Sequence, residues 1–167
     1  MSEKVFWVTG LAGAGKTTIG KIIYNHIKTT TEGVVFLDGD LMRETIAHDL
    51  GYTKEDRLIC AYRYARLCKL LSSQGLIVIC CTISMFDEVR NWSRENIDNY
   101  IEIYIRVSQE TLINRDQKNM YSTNQANVMG LTLSFEEPKN PDIIIDNNCN
   151  INANRIIDKI ILQQNNN

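Results

Sequence analysis

Val5-Phe6-Trp7-Val8-Thr9-Gly10-Leu11-Ala12-Gly13-Ala14-Gly15-Lys16-Thr17-Thr18 is the stretch that decides the fold of this chain. An apolar run suited to a buried strand leads into Gly10 to Thr17, which fits G-x-x-x-x-G-K-[ST]. Ile19, Ile22, Ile23 and Ile27 then mark one face of a helix. Strand, glycine-rich loop and helix, in that order, are the context a phosphate-binding loop requires. The glycines let backbone N–H groups close around phosphate oxygens, Lys16 can reach the outer phosphates, and the Thr17 hydroxyl can ligate Mg²⁺. The helix that follows aims the positive end of its dipole at the same point. The loop therefore implies a nucleoside triphosphate, without saying what is done with it.

On either side of this loop, short β-rich runs alternate with longer amphipathic ones, the pattern of a parallel sheet covered on both faces. The predicted strands are Lys4–Thr9, Val34–Asp38, Leu76–Thr82, Tyr100–Val107 and Asp142–Asp146. The expected fold is α/β, with a five-stranded parallel sheet, helices on both faces and a lid. A helix over 54–74 carries Leu58, Ala61, Ala65, Cys68 and Leu71 on one stripe and stops at Gly75. The last helix carries Ile156, Ile157, Ile160 and Ile161, and the polar residues 163–167 after it are expected to fray. Residues 117–141, with Gly130, Pro138 and many polar groups, are expected to form a mobile lid over the phosphate site.

Composition narrows the partners. A chain of 167 residues suits a single domain with one well-buried core. The net charge of -2, with both signs mixed along the chain, argues against a nucleic-acid surface or a polybasic membrane patch, and small molecules are the expected partners. Cys60, Cys68, Cys80, Cys81 and Cys149 show no C-x-x-C spacing, which points away from a disulfide framework or a zinc site and towards a reducing cytosol. The first residues lack the charged and apolar regions of a signal peptide, and no apolar run reaches membrane-spanning length, so a cytoplasmic location is expected.

In open α/β sheets ligands gather at the carboxyl ends of the strands. After the second strand comes Leu37-Asp38-Gly39-Asp40-Leu41-Met42-Arg43, where an apolar run delivers two carboxylates and then a guanidinium. One aspartate can organise Mg²⁺ and its water while the other accepts a proton from an attacking hydroxyl, and Arg43 would hold an anionic acceptor. The plainer alternative has Asp38 ending the strand and Asp40 capping the next helix. Further on, Thr53-Lys54-Glu55-Asp56 superficially matches the guanine-reading [NT]-K-x-D, but it opens a long helix rather than following a late strand. Thr53 and Asp56 there form a capping pair, with Arg57 one turn into the helix.

The motifs G-L-A-G-A-G-K-T-T, L-D-G-D-L-M-R, G-Y-T-K-E-D-R, G-L-I-V-I-C-C-T-I-S and Arg115-Asp116-Gln117-Lys118-Asn119-Met120-Tyr121 follow the order found in adenylylsulfate kinases. The chain resembles that family over nearly its whole length. The resemblance implies a P-loop kinase fold, ATP with Mg²⁺, a homodimer, and phosphorylation of the ribose 3′-hydroxyl of a nucleotide bearing a charged phosphoryl anhydride at its 5′ end. Carried over by position, it places Gly10, Leu11, Ala12, Gly13, Ala14, Gly15, Lys16, Thr17, Thr18 and Arg115 at ATP. It assigns Mg²⁺ to Thr17 and Asp38, and Asp40 to the acceptor hydroxyl. Arg43 and Arg57 take the acceptor's anionic end, Lys118 closes over it, Ile83 belongs to the acceptor site, and Ser84 lies by the transferring phosphate, where a serine hydroxyl donates a hydrogen bond.

The departures from the family fall on the acceptor side. The two phenylalanines that clamp an acceptor adenine in adenylylsulfate kinases stand here as Tyr52 and Leu131, which offer one ring and a smaller aliphatic wall. An asparagine of the family's R-x-E-N-x-R-R is Cys60, and its S-P-F-R loop reads Ser84-Met85-Phe86-Asp87. A retained reaction on a changed acceptor is the consequence, because losing a designed hydrogen bond discriminates more strongly than losing a methylene. Within the family the chain resembles the cytidine diphosphoramidate kinases of capsular polysaccharide phosphoramidate pathways. That makes cytidine diphosphoramidate the expected acceptor and adenylylsulfate the alternative. A nucleotide-binding regulator without catalysis is the alternative of another class, and the intact Lys16, Thr17, Asp40 and Arg43 oppose it. Replacing Lys16→Ala is expected to lower turnover by several orders of magnitude, on the order of the electrostatic contributions typical of phosphoryl transfer; near-normal steady-state turnover in that variant would contradict the assignment of the loop.

Overall fold

Val5, Phe6, Trp7, Val8 and Thr9 are each fully buried, because the strand they form has helices against both faces and a neighbour on each edge. The computed structural model describes residues 3–115, 129–130, 133–149 and 151–165. Strands β1 (Lys4–Thr9), β2 (Val34–Asp38), β3 (Ile77–Thr82), β4 (Tyr100–Arg106) and β5 (Ile143–Asp146) form one parallel sheet in the order β2-β3-β1-β4-β5. The connections carry α1 (Lys16–Lys28), α2 (Gly39–Ile46), α3 (Lys54–Ser72), α4 (Asp87–Asn96) and α5 (Gln109–Arg115), and α6 (Ala153–Asn165) closes the chain.

Alternation along the strands divides the core into two layers. Phe6 and Val8 join Ile79, Cys81, Ile103 and Ile145 beneath α1, α5 and α6, which supply Ile19, Ile23, Leu112 and Ile156. Val5 and Trp7 join Val78, Cys80 and Tyr104 beneath α2, α3 and α4, which supply Met42, Ala65, Cys68 and Val89. The five-stranded parallel sheet with helices on both faces is thus as the sequence predicts. Helix α1 lies close to β3 because Gly20 has no side chain there. A Cβ at Gly20 would collide with Cys81 Sγ and stand 3.1 Å from Phe36 Cε2.

Element ends differ from expectation by a residue or two. Strand β3 begins at Ile77, β4 stops at Arg106 and β5 begins at Ile143, while α3 ends at Ser72. Gly75, at φ +83°, still provides the stop: its N–H bonds to Ser72 O at 2.9 Å and the Leu76 N–H to Leu71 O at 3.4 Å. Helix α6 runs on to Asn165, through part of the stretch expected to fray, since glutamine is a good helix former.

Much of the expected lid, including Lys118 and Leu131, lies outside the described residues. Among its described parts, Gly130 lies against the glycine-rich loop, where a Cβ would stand 3.0 Å from Leu11 Cδ1, and residues 133–141 are fastened to the body. The Glu136 N–H donates to Met85 O at 3.0 Å, Arg90 donates to Glu136 O at 2.7 Å, and Arg94 donates to Asn140 O at 3.0 Å. Among the described residues, no helix is long and apolar enough to cross a membrane, and all the cysteines are free thiols.

The tight seat of α1 is open to test by Gly20→Ala. The variant should lose about 1–3 kcal/mol of stability by overpacking against Cys81, read from urea unfolding, and Cys81→Ala in the same chain should restore part of the loss.

Candidate active site

The turn from β1 into α1 needs Gly15 at φ +94°, a left-handed conformation that a side chain would strain. Helix α1 starts on this glycine with no side-chain cap, so the N–H groups of its first turn belong to the loop and form an anion-binding end. Lys16 arches over the loop, its Nζ donating to Leu11 O at 2.7 Å. The loop is braced from the far end of the sheet: Asn147, just past β5, donates from Nδ2 to Ala14 O at 2.9 Å, and its own N–H bonds to Arg106 O at 3.0 Å. Arg115, at the end of α5, donates to Asn147 O at 2.6 Å, so the arginine expected beside ATP joins the segment that holds the loop.

Asp38 is the hub. Its Oδ2 accepts the Thr17 hydroxyl at 2.8 Å, and its Oδ1 accepts the N–H groups of Asp40 at 3.0 Å and Leu41 at 3.5 Å. The helix cap is therefore Asp38 and not Asp40, which corrects the plainer alternative reading of this pair and leaves the exposed Asp40 carboxylate in the first turn of α2. A hydroxyl and a carboxylate side by side are hard oxygen donors. They fit Mg²⁺, which is commonly held by one or two protein groups together with phosphates and water. Among the described residues there is no cluster of three or more His, Cys, Asp or Glu that could hold a metal by itself.

Across α2 and the start of α3 lies a cationic corner. Arg43 donates to Leu50 O at 3.1 Å and to Gly51 O, and its guanidinium carbon stands 4.6 Å from the centre of the Tyr52 ring. Arg57 donates from Nε to Tyr52 O at 3.2 Å, and its guanidinium carbon is 5.3 Å from the same ring. Two cations thus share one exposed aromatic side chain. Burial, and then the charge of Arg43, hold Arg57 below the usual arginine range, and an anion placed between the pair would relieve that repulsion. The capping pair predicted here is present: Thr53 Oγ1 accepts from the Asp56 N–H at 3.2 Å and donates to Asp56 Oδ2 at 2.9 Å.

Other expected residues sit deeper. Cys60 is 4% exposed and packs in the core under α3, where its neighbour is the Tyr64 hydroxyl. The reason is its position: Cys60, Tyr64 and Cys68 follow one another at four-residue spacing on the face of α3 turned to the sheet. Ser84 is also buried, its Oγ 2.9 Å from Thr82 Oγ1, and Ile83 packs on the same core. Asp87, where the family pattern has a cation, is held below the usual carboxylate value despite its burial, because Arg90 and Lys139 pair with it. Sequence reasoning missed Asn147 and Tyr64. For Asn147 the signal was available, since Asn147-Asn148 directly follows a predicted strand at the carboxyl edge of the sheet, where ligands gather.

A model of the adenylylsulphate kinase family matches residues 2–146. The chain is 40% identical over 161 residues to a cytidine diphosphoramidate kinase of Campylobacter jejuni, with 94% of each covered. It is 36% identical over 154 residues to a probable adenylyl-sulfate kinase of Aeropyrum pernix, covering 87% of this chain and 84% of that one. In fold it is similar to the Mycobacterium tuberculosis APS kinase solved in complex with AMPPNP and APS, at a TM-score of 0.86 and 24% identity, with 98% of each chain covered.

The brace on the loop has its own consequence. Asn147→Ala leaves the Ala14 carbonyl without its partner and should cost about 1–3 kcal/mol of stability. Amide hydrogen exchange should accelerate at Gly13 to Gly15, and unchanged exchange there would show that Asn147 does not hold the loop.

Proposed function

The chain belongs to the adenylylsulphate kinase family, and on that footing we propose that it phosphorylates the ribose 3′-hydroxyl of cytidine diphosphoramidate with ATP and Mg²⁺. It is a phosphotransferase with a hydroxyl group as acceptor. The observation that carries the proposal is the junction at the ends of β1 and β2, where Thr17 and Asp38 share a hydrogen bond of 2.8 Å and Asp40 stands two residues on. Phosphoryl transfer asks for a cradle, a place for metal charge and a group to take a proton, and this junction supplies each from a different residue.

In this reading the loop amides and Lys16 hold the outer phosphates of ATP, and Arg115 belongs to the donor side. Thr17 and Asp38 would hold Mg²⁺, which when bound neutralises charge on the phosphates. The Asp40 carboxylate takes the proton of the 3′-hydroxyl, whose oxygen bonds to the terminal phosphorus while the bond from that phosphorus to the departing ADP oxygen breaks. The products are the 3′-phosphorylated nucleotide and ADP. Arg43 and Arg57 take the anionic 5′ end, with the Tyr52 ring between them as an aromatic face, and Ser84 supplies a hydroxyl just past β3. Lys118 and Leu131 complete the acceptor site in the same proposal, and a homodimer belongs to it.

Cytidine diphosphoramidate is favoured over adenylylsulfate on two grounds. Tyr52 and Leu131 replace the paired rings that suit a purine in the family pattern, and the relative with the cytidine acceptor in its name is 40% identical over 94% of both chains. A competition between the two acceptors under one limited supply of ATP tests the choice, with products separated by chromatography. Cytidine diphosphoramidate should be consumed first. Preferential turnover of adenylylsulfate would overturn the acceptor, and phosphorylation of neither would overturn the 3′-kinase reading.

A further inference from the structure

We infer that Tyr64, a buried residue of α3 outside the motifs, is a positioning residue for the Asp38-Gly39-Asp40 corner, acting on it through a single peptide plane. The Tyr64 hydroxyl donates to Gly39 O at 3.3 Å. That carbonyl and the N–H of Asp40 belong to the same peptide unit, which is planar and resists twisting. The Asp40 N–H in turn donates to Asp38 Oδ1 at 3.0 Å, and the other oxygen of that carboxylate accepts the Thr17 hydroxyl at 2.8 Å. A bond made at one edge of the plane therefore sets the direction of the bond at its other edge, and with it the orientation of the carboxylate beside Thr17.

The corner is gripped from its other side by β3. A Cβ on Gly39 would stand 2.7 Å from Cys81 O and 3.4 Å from Thr82 Cα, so the backbone there is pressed against the end of that strand. With β3 on one side and the hydroxyl on the other, the peptide has little freedom to rotate. Tyr64 itself is 3% exposed and packed in the core. Burial and the Cys60 thiol hydrogen-bonded beside it keep its hydroxyl protonated, hence a donor.

The inference deepens the Mg²⁺–nucleotide reading given above and rests on it. Tyr64→Phe tests it, since the ring and its packing stay and only the hydroxyl goes. The readouts are kcat and the rise in melting temperature caused by ADP, measured with Mg²⁺ and with EDTA in its place. The wild-type chain should show a larger rise with Mg²⁺. Tyr64→Phe should keep the rise seen in EDTA, lose most of the Mg²⁺-dependent increment, and turn over about tenfold more slowly, the loss expected from one misplaced hydrogen bond. An unchanged Mg²⁺ increment and kcat would overturn the positioning role. Equal loss of the rise with and without Mg²⁺ would also overturn it, since it marks a general packing defect. If the wild-type chain itself showed no Mg²⁺-dependent increment, the failure would lie with the Mg²⁺–nucleotide reading instead.

Discussion

The Asp38 carboxylate is the constraint on which the site depends. One oxygen ends the N-terminus of α2, and the other meets the hydroxyl of Thr17 on α1. A single side chain thereby fixes the relation between the phosphate loop and the helix that carries Asp40 and Arg43. The position of that side chain is in turn set by strand register, because Asp38 lies opposite Cys81 in the parallel pairing of β2 with β3. An N-cap of this kind contributes about 1 kcal/mol to its helix, which is small beside the burial of the sheet. Its greater effect is geometric.

A second set of charges does for the far edge what Asp38 does for the centre. Glu102 is buried in β4, and burial pushes its carboxyl up, opposed by Arg90 and Arg94. Arg94 reaches Glu102 at 3.1 Å and Asp142 at 2.9 Å, and Asp142 accepts the Glu102 N–H at 2.8 Å. Arg90 adds Asp87 and the carbonyl of Glu136. Buried charges of this kind are costly unless mutually paired, and here the pairing ties the stretch leading into β5 to α4. The Asp87 substitution belongs to this network. Where the family pattern has a cation stands a carboxylate that Arg90 and Lys139 neutralise, so the change alters local connections.

What could be read from the sequence was what is local along the chain. The glycine-rich loop, the alternation of strands and helices, the Thr53 cap and the stop at Gly75 each depend on residues within a few positions of one another. Asp38 and Asp40 were legible as a pair, but which of them caps α2 depends on backbone geometry that composition does not carry. Cys60 and Ser84 were placed by analogy of motif, and their depth follows from which side of α3 and which turn of the chain faces the sheet. Asn147 is legible as a polar residue just past a strand, but its partner Ala14 is not, and for Tyr64 no local signal exists because its partner Gly39 is far off in sequence. A tyrosine in an amphipathic helix reads as core, and its hydroxyl acquires a task only when a distant carbonyl is brought to it.

The bond from Asn147 to Ala14 spans 133 residues of chain. Its length bears on the order in which the protein can acquire its site. The loop motif is complete when Thr17 leaves the ribosome, yet its brace arrives only after β5 has been made and has paired with β4. Contacts this distant in sequence must overcome loop-closure entropy before they stabilise anything, which places them late in folding. A nascent chain that stops short of β5 carries the whole phosphate-binding motif and lacks the brace on it, so the loop is held only once β5 has joined the sheet.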